Sequence, residues 1–231
     1  MNQVTLCLTI GRRPILLKKT LESLIEKFDF KQVIAINDFR DEPSNAVFKA
    51  IYPNGLLINL PEQVGHHKAV DAMYSMVKTP YVFHCEDDWL FDAPLEIDKG
   101  VNLLISNPDM TSVCYRKLID FHLNQKDLDR VEFHEFESTR YARLDGLHDQ
   151  WHGYTFNPHL IRADFWRLLG GFSSFKKERH VSRWVRSRGG FVAYLESGPC
   201  FHIGDDDSVS NPAKQSLWQK MKNKFHGKNI K

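Results

Sequence analysis

The sequence has few cysteines, no long apolar run and no recognisable leader. Its 4 cysteines (Cys7, Cys85, Cys114 and Cys200) stand singly and form no CxxC pair. This spacing argues against a structural zinc site or a dithiol redox motif, and it predicts buried free thiols in a reducing compartment. No stretch approaches the roughly 20 apolar residues that a membrane span needs. With no signal peptide before the first apolar segment, we expect a cytoplasmic protein.

Charge of one sign is also lacking, except near the C-terminus. The sequence has 31 Lys and Arg against 29 Asp and Glu, so no global field favours a nucleic-acid partner. Residues 214–231 nevertheless contain 6 lysines and no acidic residue, interleaved with apolar and aromatic side chains. Two interpretations remain open for this segment. It is either a solvated terminal helix or a tail that binds peripherally to the inner face of an anionic membrane.

Short apolar runs alternate with helical patterns in the first half of the chain. The runs cover residues 4–10, 33–36, 56–58 and 81–85, and helical periodicity follows Pro14 and His66. This alternation predicts an α/β protein with a mostly parallel central sheet flanked by helices. Ligands of such sheets bind at the carboxyl ends of the strands. Gly11, Asp38 and the triplet Glu86-Asp87-Asp88 all stand at those ends.

The second half is less regular. Helices are predicted at 95–105, 163–169 and 179–188, and strands at 111–115 and 191–195. Residues 120–151 show no clear period and are expected to form loops and short elements.

Three consecutive acids follow the strand at 81–85. Carboxylates this close together are costly to ionise unless a positive charge lies among them. Hard oxygen ligands suit Mn²⁺ or Mg²⁺, with diphosphate oxygens and water completing the shell. The triplet therefore indicates either a cation site or a solvated loop at the end of a strand.

The order of these motifs resembles that of the family 2 glycosyltransferases. Residues 65–71 (Gly-His-His-Lys-Ala-Val-Asp) precede a turn, a hydrophobic strand and an acidic triplet in the position of the DxD-type motif of these enzymes. The resemblance runs from residue 4 to about residue 209 and implies a GT-A, Rossmann-like, nucleotide-sugar-binding fold. It implies a domain at 1–209, with a donor half at about 1–92 and an acceptor half at about 93–209. A basic tail at 210–231 follows.

The resemblance also assigns residues to the donor and the cation. Asp88 is expected to ligate Mn²⁺ or Mg²⁺. His202 lies in a His-Ile-Gly segment followed by Ser208, as in bacterial relatives, and is expected to complete the metal shell or contact the diphosphate; a structural histidine is the alternative. The expected nucleotide and donor contacts are Ile10, Gly11, Arg12, Asp38, Gly65, His67, Lys68, Glu86 and Asp87.

The same resemblance places a general base after the Gly170-Gly171-Phe172 turn. Glu178 occupies the base position of inverting members, while Lys177 replaces the acid that usually precedes it. A helix-capping glutamate is the alternative interpretation, and His180 is the fallback base. An inverting transfer needs one carboxylate to take the acceptor hydroxyl proton. Trp151 and His152 are expected on the acceptor side, although core packing explains a tryptophan equally well.

The expected function is metal-dependent transfer of a sugar from a nucleotide-sugar donor to a saccharide or lipid-linked saccharide, in surface-glycan or lipopolysaccharide assembly. Two alternatives stay open. A sugar nucleotidyltransferase would need a loop rich in glycine and basic residues after the first strand. The segment Gly11-Arg12-Arg13-Pro14 meets this requirement only in part. A non-catalytic nucleotide-sugar-binding module would bind the donor without turnover.

Overall fold

A nine-stranded sheet forms the centre of the protein in the computed structural model, which describes residues 3–204. The strands of the protein are β1 (Val4–Ile10), β2 (Gln32–Asn37), β3 (Leu56–Asn59), β4 (Tyr81–Glu86), β5 (Trp89–Phe91), β6 (Met110–Cys114), β7 (Glu132–Phe136), β8 (Thr139–Arg143), β9 (His159–Arg162), β10 (Phe191–Leu195) and β11 (Cys200–His202). The α-helices are α1 (Pro14–Ile25), α2 (Glu42–Ile51), α3 (His66–Tyr74), α4 (Ile97–Ser106), α5 (Gln125–Leu128), α6 (Ala163–Leu169) and α7 (Glu178–Arg186).

The central sheet is mainly parallel, as predicted. Its order is β3-β2-β1-β4-β9-β6-β10-β8-β7. Strands β9 and β8 run against their neighbours, and the other strands of this sheet share one direction. The carboxyl ends of β1, β2 and β4 therefore meet at one edge, where Thr9 pairs with Glu86 and Ile10 with Asn37.

Strand β1 is mostly apolar because both faces of the sheet are covered. Leu6 and Leu8 pack in the core that includes side chains of α1, whereas Cys7 packs in the core of α3, α6 and α7. Burial on both faces produces a continuous hydrophobic run rather than an alternating one. The four cysteines are all buried and free, as predicted.

Residues 120–151, expected as loops and short elements, contain the β7–β8 hairpin. This hairpin extends the sheet because Tyr194 of β10 pairs with Ala142 of β8. No helix within residues 3–204 is long and apolar enough to cross a membrane. The proposed tail at 210–231 and Ser208 lie outside the described residues, so the predictions made for them stay predictions.

Asp71 anchors the Gly170-Gly171-Phe172 turn to α3. Its carboxylate accepts hydrogen bonds from Trp166 Nε1 at 2.7 Å, from the Phe172 amide at 2.7 Å and from the Ser173 amide at 2.8 Å. At Gly171, which has φ +85°, a Cβ would lie 2.8 Å from Asp71 Oδ2. Glycine is therefore required on both conformational and steric grounds. The anchored turn leads directly into α7.

We expect Asp71→Asn to lower the free energy of unfolding by about 1.5–3 kcal/mol, the usual effect of losing hydrogen bonds to a charged group. An amide has only one acceptor oxygen, so it cannot receive all three donors. Urea denaturation would measure the change. Asp98→Asn, on the exposed surface of α4, is the matched control and should stay within about 0.5 kcal/mol of the wild type. Equal stability of the two variants would contradict the anchoring role.

Candidate active site

A cavity of about 360 Å³ opens at the carboxyl ends of β1, β2 and β4. Seven residues of the predicted donor set line it: Ile10, Gly11, Arg12, Asp38, Gly65, Glu86 and Asp87. Ile36, Phe39 and Ala69 add an apolar wall. A half-open slot with an apolar wall and a few fixed polar groups suits a flat heterocycle attached to a polar sugar.

Asp38 shapes this cavity by holding the loop before α3. Its two carboxylate oxygens accept hydrogen bonds from the amides of Val64, at 2.7 Å, and Gly65, at 2.8 Å. Gly65 is the N-cap of α3 and has φ +89°. The acid at the end of β2 therefore fixes the start of the helix that carries His66, His67 and Lys68.

The three acids of the triplet have different surroundings. Glu86 lines the cavity, and its Oε1 lies 3.4 Å from His66 Nε2. Asp87 is buried, accepts the Gly11 amide at 3.2 Å and pairs with Arg13. Burial raises the pKa of Asp87 to about 7 even though Arg13 opposes the shift.

One carboxylate oxygen of Asp88 accepts hydrogen bonds from two side chains. Arg13 Nη1 lies 2.6 Å from Asp88 Oδ2, and His202 Nε2 lies 2.9 Å from the same atom. Burial alone would raise the pKa of Asp88, but the bonds from His202 and Arg13 outweigh it and lower the pKa. At Gly204, a Cβ would lie 2.5 Å from Asp88 Oδ2. Only glycine lets the chain pass this close to the carboxylate.

Strand pairing explains why His202 and Asp88 meet. Strands β5 and β11 form a small antiparallel sheet in which His202 pairs with Trp89. The Ile203 amide then donates to the Asp88 carbonyl at 2.9 Å. The predicted ligands are thus brought together from positions 114 residues apart in the sequence.

The groups around Asp88 fit a divalent cation. Asp88 Oδ1 is buried and has no hydrogen-bond partner among the described residues. A carboxylate oxygen suits Mn²⁺ or Mg²⁺, and a neutral imidazole nitrogen is a common metal ligand. Within residues 3–204 no group of three or more His, Cys, Asp or Glu side chains could hold a metal ion. A cation here would therefore need further ligands from a bound molecule, such as phosphate oxygens.

A larger cavity of about 740 Å³ adjoins the first. Eight of the predicted site residues line it: Gly65, His67, Lys68, Glu86, Asp88, Trp151, Glu178 and His202. Exposed lysines at 68, 176 and 177 contribute to the same wall. Donor, metal and base candidates from distant segments therefore face one space.

Glu178 begins α7 and faces this larger cavity. Burial, followed by repulsion from Glu86, raises the pKa of Glu178 to about 7. The backbone of Phe156, which lies outside α7, opposes this shift. His180, the fallback base, lies in the same turn of α7 but lines none of the three cavities around Glu178 and Asp88.

A third cavity of about 170 Å³ continues from Glu178 towards β10. Trp151 and His152, the predicted acceptor residues, line it together with Phe121, Tyr154, Thr155, Asn157 and Tyr194. His152 Nδ1 lies 3.4 Å from the Tyr194 hydroxyl. Burial lowers the pKa of His152 to about 4, so the imidazole is neutral near pH 7. Aromatic rings and neutral hydrogen-bonding groups therefore line this cavity. Its volume is smaller than the roughly 300–1,000 Å³ of pockets that bind drug-sized ligands.

Sequence reasoning missed Arg13, which contacts both Asp87 and Asp88. His66, next to the predicted donor residue His67, faces Glu86. One signal could have identified Arg13: it lies between the carboxyl end of β1 and the helix that Pro14 begins, and so stands at the edge of the sheet where ligands bind.

The family model described as glycosyl transferase family 2 matches residues 11–168. The chain belongs to this family. The family assignment confirms the predicted resemblance and agrees with the predicted enzyme class. No curated protein matches the sequence as a relative.

Two solved structures resemble this family 2 domain. One is the mannosyltransferase PcManGT from Pyrobaculum calidifontis in complex with GDP-Man and Mn²⁺, with a TM-score of 0.66 and 14% identity over 89% of this chain and 58% of that one. The other is S. aureus TarS 1–349, with a TM-score of 0.58 and 13% identity over 89% of this chain and 61% of that one. The chain thus spans about three fifths of each structure. At this identity the likeness shows the GT-A fold, as predicted.

Proposed function

We propose that the protein transfers a sugar from a nucleotide-sugar donor to a saccharide acceptor, with inversion at the anomeric carbon and with Glu178 as the general base. One observation carries this proposal. Glu178, whose pKa is about 7, lines both the cavity that contains Asp88 and His202 and the small cavity that contains Trp151 and His152. A base at this junction can reach an acceptor hydroxyl on one side and a donor on the other.

The proposed donor site consists of the cavities of about 360 and 740 Å³. The 360 Å³ cavity takes the nucleoside. The diphosphate extends towards Asp88 and His202, which would hold Mn²⁺ or Mg²⁺. When bound, a divalent cation would neutralise the negative charge that develops on the diphosphate. PcManGT, which shares the fold, was solved with GDP-Man and Mn²⁺. That complex supports a nucleotide-sugar donor and a divalent cation here.

The chain's own residues then perform the transfer. Glu178 accepts the proton of the acceptor hydroxyl while the hydroxyl oxygen attacks the anomeric carbon, and the bond between that carbon and the diphosphate breaks. The nucleoside diphosphate leaves as an anion, so no second carboxylic acid is needed at the leaving group. Trp151 packs against the acceptor ring, and His152 is available for hydrogen bonding. The acceptor we propose is a saccharide or lipid-linked saccharide of surface-glycan or lipopolysaccharide assembly. Peripheral contact with the cytoplasmic face of a membrane through residues 210–231 belongs to the same proposal.

A nucleotide screen tests the proposal directly. UDP, GDP, TDP and CMP would be added with and without Mn²⁺, and the melting temperature recorded. We expect one nucleoside diphosphate to raise the melting temperature more with Mn²⁺ than without it, and the matching nucleotide sugars to be turned over. Mn²⁺-dependent binding with no turnover of any donor would favour the non-catalytic module instead. Pyrophosphate release from a nucleoside triphosphate and a sugar phosphate would favour the nucleotidyltransferase.

Replacement of Trp151 tests the acceptor side. Trp151→Ala should raise the acceptor KM by about 2–13-fold, corresponding to the roughly 0.5–1.5 kcal/mol of an aromatic contact. Trp151→Phe retains a ring and should recover most of the loss. Donor hydrolysis without acceptor should be the same in both variants, which separates acceptor binding from damage to the donor site. A change in donor hydrolysis with an unchanged acceptor KM would contradict this assignment.

A further inference from the structure

Arg13 bridges the acidic pair at the end of β4. It is the residue immediately before α1, and its guanidinium contacts both Asp87 and Asp88. The two carboxylates are only 3% and 7% exposed, and Arg13 itself is 15% exposed. Buried neighbouring carboxylates are costly without a counter-charge. The planar guanidinium, with several donors in a fixed fork, can contact both acids at once.

The same carboxylate oxygen serves Arg13 and the candidate cation site. Asp88 Oδ2 accepts from Arg13 Nη1 at 2.6 Å and from His202 Nε2 at 2.9 Å. A divalent cation held by Asp88 and His202 would therefore stand beside a guanidinium. Like charges this close repel each other strongly in a partly buried site. Cation and guanidinium compete for Asp88 unless additional negative charge arrives with the cation.

The position of Arg13 shows where that negative charge would come from. Arg13 lines both the cavity of about 360 Å³ and the cavity of about 740 Å³, as do Gly65, His66 and Glu86. A molecule that extends from one cavity into the other must pass these residues. Guanidinium groups match phosphate oxygens in geometry and charge. A diphosphate between the cavities would thus give Arg13 a new partner.

We infer that Arg13 neutralises Asp87 and Asp88 in the nucleotide-free protein and transfers its hydrogen bonds to the diphosphate when nucleotide and cation bind. Arg13 thereby couples the two binding events, so that the cation binds weakly alone and tightly with nucleotide. The inference rests on the proposed function, because it requires a diphosphate and a cation at this edge of the sheet. Coupling of this kind is reciprocal, so the nucleotide gains the same factor from the cation.

Mn²⁺ binding measured by electron paramagnetic resonance tests this role without an activity assay. Wild type and Arg13→Gln would be titrated alone and with saturating GDP or UDP. We expect Arg13→Gln to bind Mn²⁺ about tenfold more tightly without nucleotide, and to show a coupling factor lower by about tenfold, within the usual 5–150-fold range of such couplings. Arg13→Lys keeps the positive charge but not the forked guanidinium. Its Mn²⁺ affinity and its coupling factor should therefore lie between those of the wild type and Arg13→Gln.

Arg167→Gln is the matched control. It removes the same charge at an exposed position of α6 that lines neither of the two cavities. Its Mn²⁺ affinity without nucleotide should equal that of the wild type, because it does not compete for Asp88. Circular dichroism would check the fold of each variant, and the Arg13→Lys titration carries the test if Arg13→Gln does not fold.

The outcomes separate this inference from the proposed function. Equal Mn²⁺ affinity and equal coupling in wild type and both Arg13 variants would overturn the role of Arg13, even if sugar transfer proceeds. Failure of wild type and every variant to bind Mn²⁺, with or without GDP or UDP, would overturn the cation role of Asp88 together with this inference.

Discussion

Replacing Glu178 by glutamine is expected to lower kcat by about 10²–10⁴-fold, the usual contribution of a general base. The amide has nearly the same shape as the carboxylate but cannot accept a proton. Donor affinity should stay close to that of the wild type, because Glu178 does not line the cavity proposed for the nucleoside. Steady-state kinetics gives kcat, and calorimetry gives the Kd of the nucleoside diphosphate with Mn²⁺.

The pH profile gives an independent measure of the same residue. Burial and repulsion from Glu86 raise the pKa of Glu178 to about 7. Because a base acts only when it is ionised, the rate should rise as the pH increases through about 7 and level off above it. The pKa of Asp87 is also raised to about 7, so the profile alone is ambiguous. If the rise in rate with pH is absent in Glu178→Gln, the rise reports the ionisation of Glu178 and not that of Asp87.

His180→Gln provides the matched control for the base assignment. His180 lies two residues after Glu178 in α7 but lines neither of the cavities that Glu178 lines. We expect its kcat to equal that of the wild type. A large loss in His180→Gln with a nearly full rate in Glu178→Gln would make His180 the base and refute the present assignment.

Most elements were predicted correctly from the sequence, including α4, α6 and α7 in the less regular second half. β1 and β4 are mostly apolar because helices cover both faces of the sheet at these strands. Parallel strands also place the residues that follow them at a common edge, so Gly11, Asp38 and the acidic triplet could be grouped without any contact information. This rule accounts for the donor half of the site.

The remaining elements depend on pairings that local pattern does not reveal. β9 is only four residues long and lies antiparallel between β4 and β6. α2 was not anticipated, although Asp41 caps it by accepting the Ser44 amide at 3.1 Å. The β7–β8 hairpin carries mostly exposed or half-exposed side chains. Short strands and polar edges carry too little periodicity to be distinguished from loops.

The candidate site shows the same division. Asp88 and His202 were predicted by resemblance to family motifs, but their contact across 114 residues depends on the pairing of β5 with β11. Arg13 was missed for a physical reason. A charged residue before a helix is usually solvated, and only the fold reveals that this one faces two buried carboxylates.

Asp88→Asn is expected to weaken Mn²⁺-dependent binding of the nucleoside diphosphate by on the order of 100-fold, since loss of a ligand removes both charge and coordination from the cation. The amide keeps the volume of the side chain, so Gly204 can still pass beside it. Binding of the nucleotide without Mn²⁺ should change much less. Calorimetry with and without Mn²⁺ measures both effects. Asp92→Asn, at an exposed position four residues later, is the control and should bind like the wild type.

Comparison of Asp88→Asn with Arg13→Gln distinguishes a cation ligand from a structural partner of Arg13. If Asp88 ligates the cation, the two changes act in opposite directions on Mn²⁺ affinity without nucleotide, and the double variant binds as weakly as Asp88→Asn alone. If Asp88 serves only to neutralise Arg13, then Asp88→Asn lowers the free energy of unfolding and leaves the Mn²⁺ affinity unchanged.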